Sequence, residues 1–205
     1  MTPSSAMRTV IDTDPGIDDA IAILFALASP EFAIAGITTV GGNIGLASTT
    51  RNAGRLLALS GRRDIAVVPG AASPLLRPAP SPLAMHGDDG LGGIPLPEPS
   101  APPQAGSAAA WLGALLQDNP AGTIQILALG PLTNVALLLR DHPAAAARIG
   151  RIIAMGGTVR EPGNAGPHSE FNFASDPEAA AMVVGAGLPL TIVPLDVTRR
   201  VRATR

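Results

Sequence analysis

Thr9-Val10-Ile11-Asp12-Thr13-Asp14-Pro15-Gly16-Ile17-Asp18-Asp19-Ala20 decides how this chain is read. A β-branched apolar run turns acidic, breaks at Pro15-Gly16 and passes into a helical pattern, the outline of a strand, a turn and a helix. Four carboxylates fall within eight residues. Neighbouring aspartates repel, so such a cluster needs a metal, a shared proton or a helix N-terminus to absorb its charge. Capping accounts for Asp18 and Asp19 but leaves Asp12 and Asp14, at a strand end, without a task. A hard divalent cation held by oxygen ligands is the sharper reading.

Outward from that turn, apolar runs of strand length alternate with longer segments of helical period. Strands are expected at 8–13, 33–40, 65–68, 123–129, 151–155 and 190–194, and helices at 18–29, 46–60, 106–118, 131–140 and 176–186. This is the βαβ signature of an α/β fold, a doubly wound, mostly parallel open sheet with helices on both faces. Ser29-Pro30 closes the first helix, Pro131 suits the first turn of another, and Asp176-Pro177-Glu178 opens a third. Residues 1–7 read as a flexible leader, and 8–205 as a single domain.

Composition removes several function classes. A net charge of −2 with scattered arginines offers no basic stripe for a nucleic acid polymer. The absence of cysteine excludes thiolate metal sites and thiol nucleophiles, and the absence of lysine excludes Schiff-base chemistry and a P-loop. No apolar run reaches membrane-spanning length, and the N-terminus lacks a signal-peptide pattern, so a cytoplasmic protein is expected.

In an open parallel sheet, ligands bind beyond the carboxyl ends of the strands, and the unusual residues collect there. Asp14 follows the first expected strand, Gly41-Gly42-Asn43 the second, Gly130-Pro131-Leu132-Thr133-Asn134 the fourth and Gly156-Gly157 the fifth. The proline-rich stretch 74–103 carries Met85-His86-Gly87-Asp88-Asp89-Gly90, a turn-prone piece that reads either as part of a site or as connector. Farther on, Asn164, Glu170 and Asn172 offer amides and a carboxylate at loop spacing, suited to neighbouring hydroxyls of a sugar or to simple turn formation.

Asp12-Thr13-Asp14 also resembles the strand end of haloacid-dehalogenase-like phosphatases. That family uses a lysine to hold the phosphoryl group, which this chain lacks, and Pro15 departs from its pattern. No G-x-G-x-x-G follows the first strand, which disfavours a dinucleotide site. The order Asp12-Thr13-Asp14-Pro15-Gly16-Ile17-Asp18-Asp19-Ala20, Gly41-Gly42-Asn43, Gly130-Pro131-Leu132-Thr133-Asn134, Glu170-Phe171-Asn172 instead resembles the inosine/uridine-preferring nucleoside hydrolases across almost the whole chain.

The resemblance implies hydrolysis of the N-glycosidic bond of ribonucleosides with Ca²⁺ as cofactor. By position, it implies that Asp14, Asp19 and the backbone carbonyl of Leu129 ligate the ion, and that Asp14 is the general base. It further implies that Asp18 and Asn43 hold the ribose 2′- and 3′-hydroxyls, that Asn164, Glu170 and Asn172 bind the remaining sugar oxygens, and that His86 lies near the base. Asp12 is then a supporting group. A homo-oligomer, dimer or tetramer, is also implied. Family members continue beyond the point matched by Val197-Thr198 and bring a further His-Asp pair, so a C-terminally shortened domain is expected, with a catalytically impaired ribose- or calcium-binding chain as the alternative.

Overall fold

The computed structural model describes residues 6–78 and 84–201. Six strands form one all-parallel sheet: β1 (Met7–Thr13), β2 (Phe32–Thr39), β3 (Ala66–Pro69), β4 (Ile124–Ala128), β5 (Arg151–Met155) and β6 (Leu190–Val193). Their spatial order, β3-β2-β1-β4-β5-β6, shows the chain winding outward from β1 and then starting the other half at β4. That is the doubly wound α/β sheet the alternating pattern predicts. Met7 pairs with Phe32, so the sheet begins one residue before the expected boundary. Residues 1–5 of the expected leader and 79–83 of the proline-rich stretch lie outside the described residues.

The helices are α1 (Ile17–Ala28), α2 (Leu46–Leu59), α3 (Ala108–Gln117), α4 (Thr133–Asp141), α5 (Pro143–Ala146), α6 (Phe171–Ser175), α7 (Pro177–Gly185) and α8 (Leu195–Thr198). The five longer ones lie where the apolar period puts them. The short α5, α6 and α8 span about one turn, too little to display a period. The ends of the longer helices shift by at most two residues. Gly16 precedes α1 as its N-cap, with Asp19 reaching back to the Gly16 N–H, and α4 begins at Thr133 rather than at Pro131.

Consecutive side chains of a strand point to opposite faces, so a sheet covered on both sides needs apolar residues at every position. Val10 joins Leu112, Leu116, Ile126, Val135 and Leu138 on the face covered by α3 and α4. Ile11 joins Ile23, Ile37, Leu56 and Leu57 under α1 and α2. Each such buried aliphatic side chain contributes about 2 kcal/mol. Among the described residues no helix is long and apolar enough to cross a membrane.

Candidate metal and sugar site

β1 and β4 are neighbours whose chain connections lead away in opposite directions, and this parting leaves a crevice at their carboxyl ends. Asp14 leaves β1 into it. Gly42 and Gly130 close on its carboxylate from two sides, and a methyl at either position would overlap it. The two glycines admit a carboxylate into a space where any side chain would exclude it.

Asp14 is buried. Its Oδ2 accepts the Asn43 backbone N–H at 2.6 Å, whereas Oδ1 is buried without a partner. Asp19 accepts the Thr13 hydroxyl at 2.7 Å on Oδ1, and the Gly16 N–H at 3.1 Å and the Asn43 Nδ2 at 3.2 Å on Oδ2. The Asn43 amide also donates to the Asp14 carbonyl at 3.1 Å, so Asn43 joins the two aspartates. Beneath them, Asp12 Oδ1 accepts from Thr38 Oγ1 at 2.5 Å and Asn134 Nδ2 at 2.8 Å, while its Oδ2 is buried and unpartnered.

Burial pushes the pKa of Asp12 up to about 6. Burial, with the charge of Asp18 next, does the same for Asp19. Asp14 is raised well above the ordinary carboxylate range, by burial first and the Asp19 charge second. No arginine figures among the groups acting on these three carboxylates. Asp18 itself is exposed at the rim.

His86 is buried against this turn at the end of a 3-10 turn (Ala84–His86). Its Nδ1 accepts the Ile17 N–H at 3.2 Å, and the ring lies on Gly16, where a methyl would clash. With Nδ1 an acceptor, a neutral ring carries its proton on Nε2. Asn52 ties the same loop down by donating to the carbonyls of Asp89 at 2.8 Å and Pro15 at 3.3 Å. The piece around His86 is thus a wall of the site.

On the far side of β4, Glu170 caps α6. Its Oε1 accepts from Asn172 N at 2.9 Å, and its Oε2 from Phe173 N at 3.2 Å and Gly157 N at 3.0 Å. Burial raises its pKa, and those N–H groups pull the other way. Asn164 Oδ1 accepts the Phe171 N–H at 2.8 Å. The Asn172 amide donates to the carbonyls of Leu129 at 2.7 Å and Met155 at 3.2 Å. These three side chains therefore bond the backbone of their own surroundings, and an oxygen with two lone pairs keeps capacity for a further donor.

Hydrogen bonds join Asp14, Asn43 and Asp19 into one group and Leu129, Asn172 and Glu170 into a second, while His86 lies on Gly16 beside the first group and Asn164 is exposed. Sequence reading gives no individual role to Asn134 and sees Asp176 only as part of a helix start, which it is. Asn134 holds three strand ends through Asp12, the Thr39 carbonyl at 3.0 Å and the Ala71 N–H at 2.8 Å. Asp176, the N-cap of α7, also accepts from Thr133 Oγ1 at 2.7 Å and Leu75 N at 2.9 Å. The only signal was a polar residue on the inner face at each helix start.

Asp14, Asp19 and the Leu129 carbonyl suit a hard cation by donor chemistry, and the bare Asp14 Oδ1 is the atom that lacks a positive partner. Two carboxylates and a carbonyl are fewer than the six to eight oxygens calcium takes. Among the described residues no three His, Asp or Glu side chains form a metal cluster, so water or ligand oxygens would complete the shell. Two clefts lie away from this crevice, one of about 440 Å³ between α2 and 98–103 and one of about 380 Å³ between α4 and α7. Neither gathers buried carboxylates, as the crevice at Asp14 does.

The family model described as inosine-uridine preferring nucleoside hydrolase matches residues 9–205. The chain belongs to that family. It is 45% identical over 195 residues to a pyrimidine-specific ribonucleoside hydrolase of Salmonella typhimurium, covering 95% of this chain and 62% of that protein. A plant nucleoside hydrolase superposes with a TM-score of 0.90 at 39% identity, covering 95% of this chain and 62% of its own. A purine-preferring ribonucleoside hydrolase of Gardnerella vaginalis superposes at 0.91 with 31% identity, covering 96% and 63%. The chain thus spans less than two thirds of the length of these family members.

Proposed function

We propose that this chain carries the ribose- and metal-binding centre of a nucleoside hydrolase, cleaving the N-glycosidic bond of ribonucleosides in the cytoplasm. The observation that carries the reading is Asp14: buried at the switch point, one carboxylate oxygen fixed by Asn43 and the other without a partner. Asp14, Asp19 and the Leu129 carbonyl would hold Ca²⁺, which when bound supplies positive charge that acidifies water and anchors a vicinal diol.

The reaction needs water activated, a cationic sugar stabilised and the base released. Asp14 takes the proton of water at Oδ1, the oxygen no protein donor occupies. The hydroxide oxygen bonds the anomeric carbon while the electrons of the N-glycosidic bond leave with the base. Asp18 and Asn43 orient the 2′- and 3′-hydroxyls, and Asn164, Glu170 and Asn172 meet the rest of the sugar with their remaining lone pairs and amide hydrogens. His86, with its proton on Nε2, presents a donor toward the base. Such positioning lowers a barrier by several kcal/mol, up to ~10.

The relatives divide between a pyrimidine-specific and a purine-preferring hydrolase, so the shared ribose is the substrate part proposed here. The test is ribose release from inosine and uridine with calcium added, in the wild type and in Asp14→Asn. Turnover that the variant loses supports the reading. Ribose binding without turnover supports a binding-only chain, and a folded protein that neither binds ribose nor turns over contradicts both.

A further inference from the structure

The loop from Gly157 to Glu170 is polar and largely exposed, and Gly157 and Gly166 sit at φ 71° and 96°. A segment this rich in glycine and poor in apolar contacts opens locally at low free energy unless something outside it holds it. α8 supplies that hold. Leu195 is buried and its N–H donates to the Gly157 carbonyl at 3.0 Å, which sets α8 beside the loop. The next residue, Asp196, accepts the N–H of Arg160 at 2.8 Å on Oδ1 and that of Val159 at 2.9 Å on Oδ2. Three residues on, and so on the same side of the helix, Arg199 reaches Glu161 Oε2 at 3.2 Å through Nη1 and the Gly163 carbonyl at 3.2 Å through Nη2.

Gly163 closes a tight turn. Its N–H donates to Pro167 O at 3.0 Å, and a side chain there would strike the carbonyls of Gly166 and Ser169. Asn164 follows directly, its N–H and that of Ala165 both bonding the Ser169 carbonyl. The place of the Asn164 side chain, and through the Phe171 N–H that of the α6 start capped by Glu170, therefore depends on a turn gripped by Arg199 and on an approach segment gripped by Asp196.

We propose that Asp196 and Arg199 are positioning residues, which brace loop 157–170 in the shape that presents Asn164 and Glu170 to the sugar. This rests on the ribose-binding reading of the loop. Backbone bonding, chiefly from Val159, also holds Asp196 below the ordinary carboxylate range.

The experiment compares the wild type with Asp196→Ala, Asp196→Asn and Arg199→Ala by amide hydrogen exchange over 157–170, ribose calorimetry, and KM and kcat on inosine. Asp196→Ala should speed exchange through 158–166 and weaken ribose about tenfold, the scale of charge-assisted bonds lost at a half-exposed site. KM should rise in proportion with kcat within about twofold, and the melting temperature should stay near wild type. Asp196→Asn, keeping one acceptor, should fall between, and Arg199→Ala should shift affinity about twofold.

Unchanged exchange and ribose affinity in Asp196→Ala would overturn the brace. So would a drop in melting temperature that accounts for all the loss, with Asp196→Asn no better than Ala. A wild type that binds no ribose defeats the sugar reading instead, and the exchange comparison then decides whether the brace exists.

Discussion

The acidic turn between β1 and α1 and the glutamate loop between β5 and α6 both set buried carboxylates on backbone N–H groups, yet they finish in different states. Glu170 has a donor on each oxygen. Asp14 and Asp12 each keep one buried oxygen with none. Burial raises the pKa of all three, but only around Asp14 do neighbouring carboxylates add to the rise. The glutamate loop is complete as a piece of structure. The acidic turn leaves buried oxygens that a proton or a cation has to satisfy, because an uncompensated buried carboxylate is costly.

The widest separation between the regions should come from paired amide substitutions. Asp14→Asn should lower ribose release by ~10²–10⁴-fold, the usual weight of a general base, while leaving metal-free stability unchanged or higher because a buried charge is gone. Glu170→Gln should do the opposite to stability. Its new NH₂ faces N–H donors and should cost ~1–3 kcal/mol in a denaturant melt. Equal destabilisation by both would erase the contrast.

Gly42→Ala should come next. The added methyl must displace the Asp14 carboxylate or the chain, costing ~1–3 kcal/mol, and calcium affinity should fall with it. A smaller effect is expected from pH. Asp12 and Asp19 hold a proton in the folded state up to about 6, against an ordinary value of 3.8. Between those values only the folded state is protonated, so stability falls as pH rises through the window and levels off above it. Metal-free protein taken from pH 7 to 5 should therefore gain about 1 kcal/mol for each such carboxylate, and saturating calcium should remove the gain. Asp64, drawn down to about 2 by Arg62, does not act in this range. The smallest effect should be Arg51→Ala, whose solvent-exposed pair with Glu98 at 2.7 Å is screened by water, so melting temperature and calcium binding should both stay near wild type.

The two regions also differ in how much the sequence disclosed. Asp12 through Asp19 could be read because strand, turn and helix signals meet there and four like charges have few structural explanations. The six strands and five longer helices were legible for a related reason: a sheet covered on both faces needs continuous apolar runs such as Val10-Ile11. Glu170 and Asn172 were visible as polar residues, but not their use as helix cap and carbonyl anchor, since a cap of a five-residue helix leaves no periodic trace. Asn134, Asp176 and Asp196 act across 36 to 122 residues of chain, and contacts of that range leave no local pattern. Asn164 shows the limit most plainly: its amide in a polar loop suggests a sugar contact, but nothing local announces the Phe171 N–H that its side-chain oxygen also accepts.

Calorimetric titration of calcium into the chelator-treated protein at neutral pH tests the central claim most directly. One saturable site is expected in the wild type and none in Asp14→Asn, with circular dichroism showing both proteins folded. A folded wild type that takes up no calcium, or an Asp14→Asn variant that binds it as well as the wild type, would contradict the claim that this buried turn is built around a cation.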